Sequence, residues 1–117
     1  WVNGGHQPAL LRDNNGRYEQ VESNAPPMGV IQQRNKSIYQ VHKTKLYGKR
    51  FYAFTDGLSE SLNKDGQEIG IDGSIKIIEK NFNKDLSKQL SSIAKNVEKS
   101  SGEKKLSDDL TLIAIGK

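Results

Sequence analysis

The chain has 117 residues, a formal net charge of +4 and no cysteine; that length suffices for one domain around one core, and both a disulfide framework and a thiolate metal site are excluded. No apolar run reaches the roughly 18 residues of a membrane span, and the first residues lack the pattern of a signal peptide, so a cytoplasmic location without membrane insertion of this segment is expected. The lysines are interleaved with acids, as in "EKNFNKDLSKQ", which is the pattern of a solvated surface; without a basic face bearing aromatic platforms, no nucleic-acid partner is expected.

The opening "WVNGGHQPALLR" is aromatic and apolar at once, where a terminus is usually polar, and the chain is expected to start inside a domain. The stretch breaks at Gly4-Gly5 and Pro8. "DNNGR", from Asp13 to Arg17, predicts a hairpin turn with glycine at a positive φ, and "RYEQVES" the returning strand. "NAPPMGV", from Asn24 to Val30, excludes helix, because paired prolines remove two donors and hold the preceding residue extended. "SIYQVHKTKLY" alternates Ile38, Gln40, His42, Thr44 and Leu46 against Tyr39, Val41, Lys43 and Lys45, which predicts a half-buried strand. "RFYAF" predicts a fuller one, and two antiparallel hairpins are the economical arrangement.

The period then changes. In "DGSIKIIEKNF" the residues Ile75, Ile78 and Phe82 fall at helical spacing, and in "NKDLSKQLSSIAKNVEKSSG" Leu86, Leu90, Ile93 and Val97 line one face. The second helix is expected to take Asn83 as N-cap, to carry Asp85 in its first turn and to stop at Gly102. "SDDLTLIAIGK" predicts a last strand, apolar on both faces from Leu110 to Ile115, that belongs inside a sandwich or under helices.

Chemistry is suggested where apolar strands meet carboxylates. In "FYAFTDGLSE" Asp56 ends one buried strand, and Asp108 with Asp109 begins another. If the two strands are antiparallel neighbours, these acids come together, and like charges at close range are relieved by a hard divalent cation with oxygen ligands. Each motif also has a plainer reading: Asp56-Gly57 as a turn, Asp108-Asp109 as the end of a loop, His6 as a loop histidine and His42 as a surface residue. Asp65-Gly66 and Asp72-Gly73 read as turn and helix-start signals. No nucleophile elbow, His-Glu-x-x-His or Walker loop is present, so nucleophilic catalysis by a side chain is not expected.

Taken in order, "NGGHQPALL", "APPMGV", "FYAFTDGLSESLNKDGQEIG" and "SDDLTLIAI" resemble the C-terminal half of the SpoIIE-like branch of the PPM (type 2C) metal-dependent serine/threonine phosphatases. The resemblance covers nearly the whole chain. Each pattern alone is weak; the set is specific. It implies an α+β fold, the C-terminal part of a PPM-type α/β/β/α sandwich, with antiparallel strands followed by two helices and a final central strand. Residues 1–117 would then be the C-terminal portion of a single domain whose N-terminal portion is missing.

The resemblance further implies a centre of two Mn²⁺ or Mg²⁺ ions, with Asp56 and Asp108 as metal ligands. Asp109, Gly57 and His6 are accessory positions near it, Gly57 letting the chain turn sharply away from the metal. The nucleophile is a metal-activated water between ions roughly 3.5 to 4 Å apart, with no catalytic side chain. The bridging aspartate of the family belongs to a Gly-Asp motif in the other half of the domain, so this segment alone is expected to be inactive. Two departures stand out: Lys49 in "LYGKR" where the branch has Gly-Asp, and Gly4 in place of alanine. The implied partners are a phosphorylated bacterial regulator of the anti-anti-sigma type and an upstream sensor domain in the parent chain. The alternative is a catalytically silent, phosphatase-like module that docks a signalling partner.

Overall fold

The structure, a computed structural model, describes residues 1–31, 38–101 and 109–116. Strands β1 (Ala9–Asp13) and β2 (Tyr18–Val21) form the first hairpin. Its turn is made by Asp13, whose Oδ1 accepts the amides of Asn15 and Arg17 at 2.8 and 2.9 Å, and by Gly16 at φ 79°. The Arg17 amide above all holds the Asp13 carboxyl below its usual range. This is turn chemistry of the kind the residues announce.

The second hairpin does not form. Of the segment expected to be a strand, Ser37 lies outside the described residues, and residues 40–46 are neither strand nor helix. The reason is competition for β3 (Lys49–Phe54): both its edges are taken, in a four-stranded antiparallel sheet of order β2-β1-β3-β4. The displaced segment bonds instead to the start of the chain. His42 donates its amide to the Trp1 carbonyl at 2.9 Å, Trp1 Nε1 donates to Thr44 Oγ1 at 3.2 Å, and the Trp1 and His42 rings stack at 4.9 Å.

Strand β4 (Leu112–Gly116) pairs with β3 in the register Phe54 to Leu112 and Tyr52 to Ala114. It therefore lies at the edge of the described sheet, under α3, and not in the middle. Its apolar residues do divide between two faces: Leu112 and Ala114 pack on the helix-covered core, while Ile113 and Ile115 on the opposite face are about half exposed, 52% and 50%.

Among the described residues three helices follow β3. Helix α1 (Asp56–Ser59) is a single turn; α2 (Gly70–Lys80) and α3 (Leu86–Ser101) are the amphipathic pair. Ile78, Ile93 and Val97 close on Leu10, Tyr52, Phe54 and Leu58 to form the main core. At the start of α3 the cap is Asp85, whose Oδ1 accepts the Lys88 amide at 3.2 Å, not Asn83. Asn83 instead accepts the Asp85 amide at 3.0 Å, turning the chain one step earlier; Asp85 is the residue one turn before Gln89, whose amide bonds the Asp85 carbonyl at 3.0 Å. Gly102 lies outside the described residues. Phe82 is beyond α2 and 39% exposed, with the guanidinium of Arg12 4.0 Å from its ring centre and that of Arg50 at 4.7 Å.

A buried polar bridge fixes the helices on the sheet. Arg50, 5% exposed on β3, donates to the Asn83 carbonyl, to the Lys84 carbonyl at 2.8 Å and to Gln89 Oε1 at 2.9 Å. Tyr52 adds its hydroxyl to the same Gln89 oxygen at 3.1 Å, and Gln89 Nε2 donates to the Ile78 carbonyl. No helix among the described residues is long and apolar enough to cross a membrane.

Candidate metal centre

The apolar alternation of β3 ends at Phe54, and the next residue joins two parts of the chain. Thr55 donates its amide to the Thr111 carbonyl at 3.0 Å; its hydroxyl donates to the Asp109 carbonyl at 2.8 Å and accepts the Thr111 amide at 2.9 Å. The end of β3 and the approach to β4 are thus held side by side. Asp56, next in sequence, opens α1 and is exposed, with Oδ1 accepting the Gly57 amide at 3.1 Å. Asp109 is exposed as well, and its backbone is one hydrogen bond from the residue preceding Asp56. Asp108 lies outside the described residues.

A third segment reaches the same end of the sheet. In the loop before β1, Asn3 Oδ1 accepts the His6 amide at 2.9 Å, and the exposed His6 ring pairs its Nδ1 with the Gln7 carbonyl at 2.8 Å. A carbonyl only accepts, so Nδ1 is the donor in this contact. Gln7 ties this loop down: its Nε2 donates to the Phe54 carbonyl at 2.5 Å, and its Oε1 accepts the Ser59 hydroxyl at 2.8 Å. In the sequence Gln7 is marked only as a polar residue between His6 and Pro8.

Gly57 differs from expectation in one respect. It is buried inside α1 and is not among the glycines with positive φ, so the chain leaves Asp56 through an ordinary helical turn. The departures from the family pattern are accommodated locally. Lys49 pairs with Glu19 on the neighbouring hairpin at 3.3 Å. A Cβ at Gly4 would lie 3.4 Å from the Pro26 carbonyl oxygen, a contact alanine can make with little adjustment.

The donors at this end of the sheet are carboxylate oxygens, the chemistry that hard divalent cations select. Among the described residues no group of three or more potential ligands gathers. Of the described residues, Asp56 and Asp109 offer carboxylates of this kind at one end of the sheet.

The architecture is that of a PP2C domain. The chain matches the SiaA-PP2C domain of Pseudomonas aeruginosa with a TM-score of 0.75 at 17% identity, over 96% of this chain and 44% of that one. It spans less than half the length of that domain, and at this identity the likeness defines the fold. The profile of the Stage II sporulation protein E (SpoIIE) family matches residues 1–117, and the chain belongs to that family. No curated protein matches the sequence.

Proposed function

We propose that this chain is the C-terminal portion of a SpoIIE-like phosphatase domain that hydrolyses phosphoserine or phosphothreonine on a bacterial regulatory protein of the anti-anti-sigma type, under the control of an upstream sensor domain. The observation that carries this reading is the Thr55 junction, which sets the strand end bearing Asp56 against the segment bearing Asp109. Asp56 and Asp108 would hold Mn²⁺ or Mg²⁺, with Asp109 beside them. When bound, such ions supply a nucleophilic water near neutral pH and offset the charge of the phosphate oxygens.

The chain's own residues provide the frame. Gln7 and Thr55 fix three segments at one end of the sheet. Side-chain nucleophiles are not poised there: the Ser59 hydroxyl donates to Gln7 Oε1, and the Ser61 hydroxyl donates to the Gly57 carbonyl at 2.7 Å. Attack by water is the reading these contacts favour. The exposed His6 ring stands in the loop that Gln7 ties to the end of β3.

On the sheet face opposite the helices Ile113 and Ile115 stay half exposed, while Trp1 and Leu46 line a pocket with Leu11, Val21 and Phe51 on the same side. In a two-sheet sandwich this face is where the second sheet packs, which supports an N-terminal portion lying outside this chain and supplying the bridging aspartate. Hydrolysis is then a property of the complete domain. The alternative is a silent phosphatase-like module that docks a signalling partner.

An assay of the complete protein carrying this chain on a phosphopeptide with Mn²⁺, beside Asp56→Asn and Asp108→Asn, separates the two. Loss of turnover in both variants is expected. Equal turnover by all three proteins rules out the metal hydrolase, and no turnover by any of them favours the docking module.

A further inference from the structure

We infer that the cleft between α2, α3 and the loop 61–69 is a docking groove for an acidic, extended peptide segment of a partner protein. The cleft has a volume of about 480 Å³, within the roughly 300 to 1,000 Å³ of ligand sites. Lys64, Lys80 and Lys99 line it, and no acidic residue does. Along the chain lysines are interleaved with acids; here the fold gathers three without any. Among the described residues none of the three pairs with a carboxylate: the ion pairs are those of Arg12 with Glu79 and Lys49 with Glu19. Lys80 and Lys99 stand in the last turns of their helices, where the helix dipole alone accounts for a cation. Lys64 stands in the loop, where no dipole favours it, and completes the cluster from a third element.

The loop holds its own shape. The Ile69 amide donates to the Ser61 carbonyl at 2.9 Å, closing it, and Leu62 and Glu68 form a bridge across it. Asn63 Oδ1 accepts the amides of Asp65 and Gln67 at 2.9 and 3.0 Å, and Gly66 turns the chain at φ 77°. The nitrogen of the Asn63 carboxamide makes no bond among the described residues, which leaves it to a peptide carbonyl. In the same cleft Leu62, 43% exposed, and the part-buried Ile69 and Ile77 form an apolar strip. The strip suits an aliphatic side chain; the lysine ammoniums and the open amide suit the carboxylates and backbone of an extended chain. A nucleotide would need an aromatic or arginine platform, and no aromatic or arginine lines the cleft. Position agrees as well. Helices α2 and α3 cover one face of the sheet while Ile113 and Ile115 lie on the other, so a second sheet there leaves the cleft in the outer layer. The inference holds for a hydrolase and for a docking module alike, and it does not rest on metal binding.

The test is fluorescence anisotropy of the complete protein with a labelled short peptide of aspartate and glutamate around one leucine, beside a neutral counterpart of asparagine and glutamine. Binding of the acidic peptide, weakened by added salt, is expected. No binding, or equal binding of the neutral peptide, overturns the inference. Each of Lys64→Gln, Lys80→Gln and Lys99→Gln should weaken the acidic peptide about 1.5- to 5-fold, as for exposed charge pairs, and the three combined should weaken it further. A second combination, Lys76→Gln, Lys88→Gln and Lys95→Gln, removes the same charge from α2 and α3 outside the cleft and should bind like wild type. Equal weakening by both combinations overturns the inference, because net charge alone then explains it, and so does a cleft combination that binds like wild type. Displacement of the labelled peptide by ATP or inorganic phosphate at a lower concentration than by unlabelled peptide overturns the peptide occupant in favour of a small anion. All six lysines are exposed, so the variants should share the urea midpoint of wild type. Turnover plays no part in these measurements, so their failure leaves the hydrolase reading standing.

Discussion

Gln7 and Ser59 share a hydrogen bond of 2.8 Å between the loop that carries His6 and the last residue of α1, while the amide of the same glutamine holds the end of β3 through the Phe54 carbonyl. One side chain thus joins the two segments that flank Asp56 to the segment that carries the histidine. Gln7 reaches the site as a brace, through contacts to backbone and hydroxyl alone.

Gln7→Leu keeps the approximate volume and deletes both bonds. The net loss is about 0.5 to 1.5 kcal/mol per hydrogen bond, measurable as a lower urea midpoint at unchanged slope. The Phe54 carbonyl, deprived of its partner, frees the loop before β1, so the proposed phosphatase activity of the complete protein should fall by more than stability alone explains. Unchanged activity with a lowered midpoint would confine Gln7 to a structural role.

The pH dependence of stability should report on Glu79. Arg12 meets this carboxylate in a two-pronged contact, Nε to Oε2 at 2.7 Å and the terminal nitrogen to Oε1 at 2.8 Å, and the Tyr18 hydroxyl adds a third bond at 2.8 Å. The Arg12 bond above all lowers the Glu79 pKa from its ordinary 4.5, against the opposing effect of partial burial. Burial first, and the bond to Glu79 second, push the Tyr18 phenol up. A depressed carboxyl pKa contributes stability that is present above 4.5 and lost as pH falls through the folded-state value. The Glu79 side chain is 43% exposed, so screening keeps the ion-pair contribution within about 1 kcal/mol. Wild type should therefore lose melting temperature on acidification below this range, and Glu79→Gln should lose less. Parallel pH profiles of the two proteins would show that the pair contributes nothing measurable.

The apolar sheet face gives a prediction about the complete domain. If a second sheet covers Ile113 and Ile115, their substitution by threonine should destabilise the complete protein by more than the roughly 0.5 kcal/mol usual for surface changes. Full burial of each side chain is worth about 1.5 to 3 kcal/mol. A melting temperature indifferent to both substitutions would mean that the face stays open to water.

How much of this could be read from the residues varies with the range of the interaction that decides each feature. The Asp13–Gly16 turn, both amphipathic helices and the apolar character of β3 and β4 were legible, since each rests on neighbours in sequence: positive φ at glycine, apolar spacing of 3.6 or 2. The carboxylates at strand ends were legible as a pattern for the same reason. The cap of α3 falls two residues beyond Asn83, because Asn83 and Asp85 are both good cap types and the choice between them depends on where Arg50 draws the loop carbonyls.

The residues alone specify the two amphipathic helices α2 and α3, the apolar strands β3 and β4, and the carboxylates at the strand ends. Long-range packing sets β1 and β4 beside β3, leaves residues 40–46 without a strand partner, and carries the hydroxyl of Thr55 and the side-chain amide of Gln7 across the sheet end. The division is physical. Periodicity records which side of an element is dry, whereas a strand edge can pair with any other edge, and a polar side chain acquires its partner only when the fold brings distant backbone within about 3 Å.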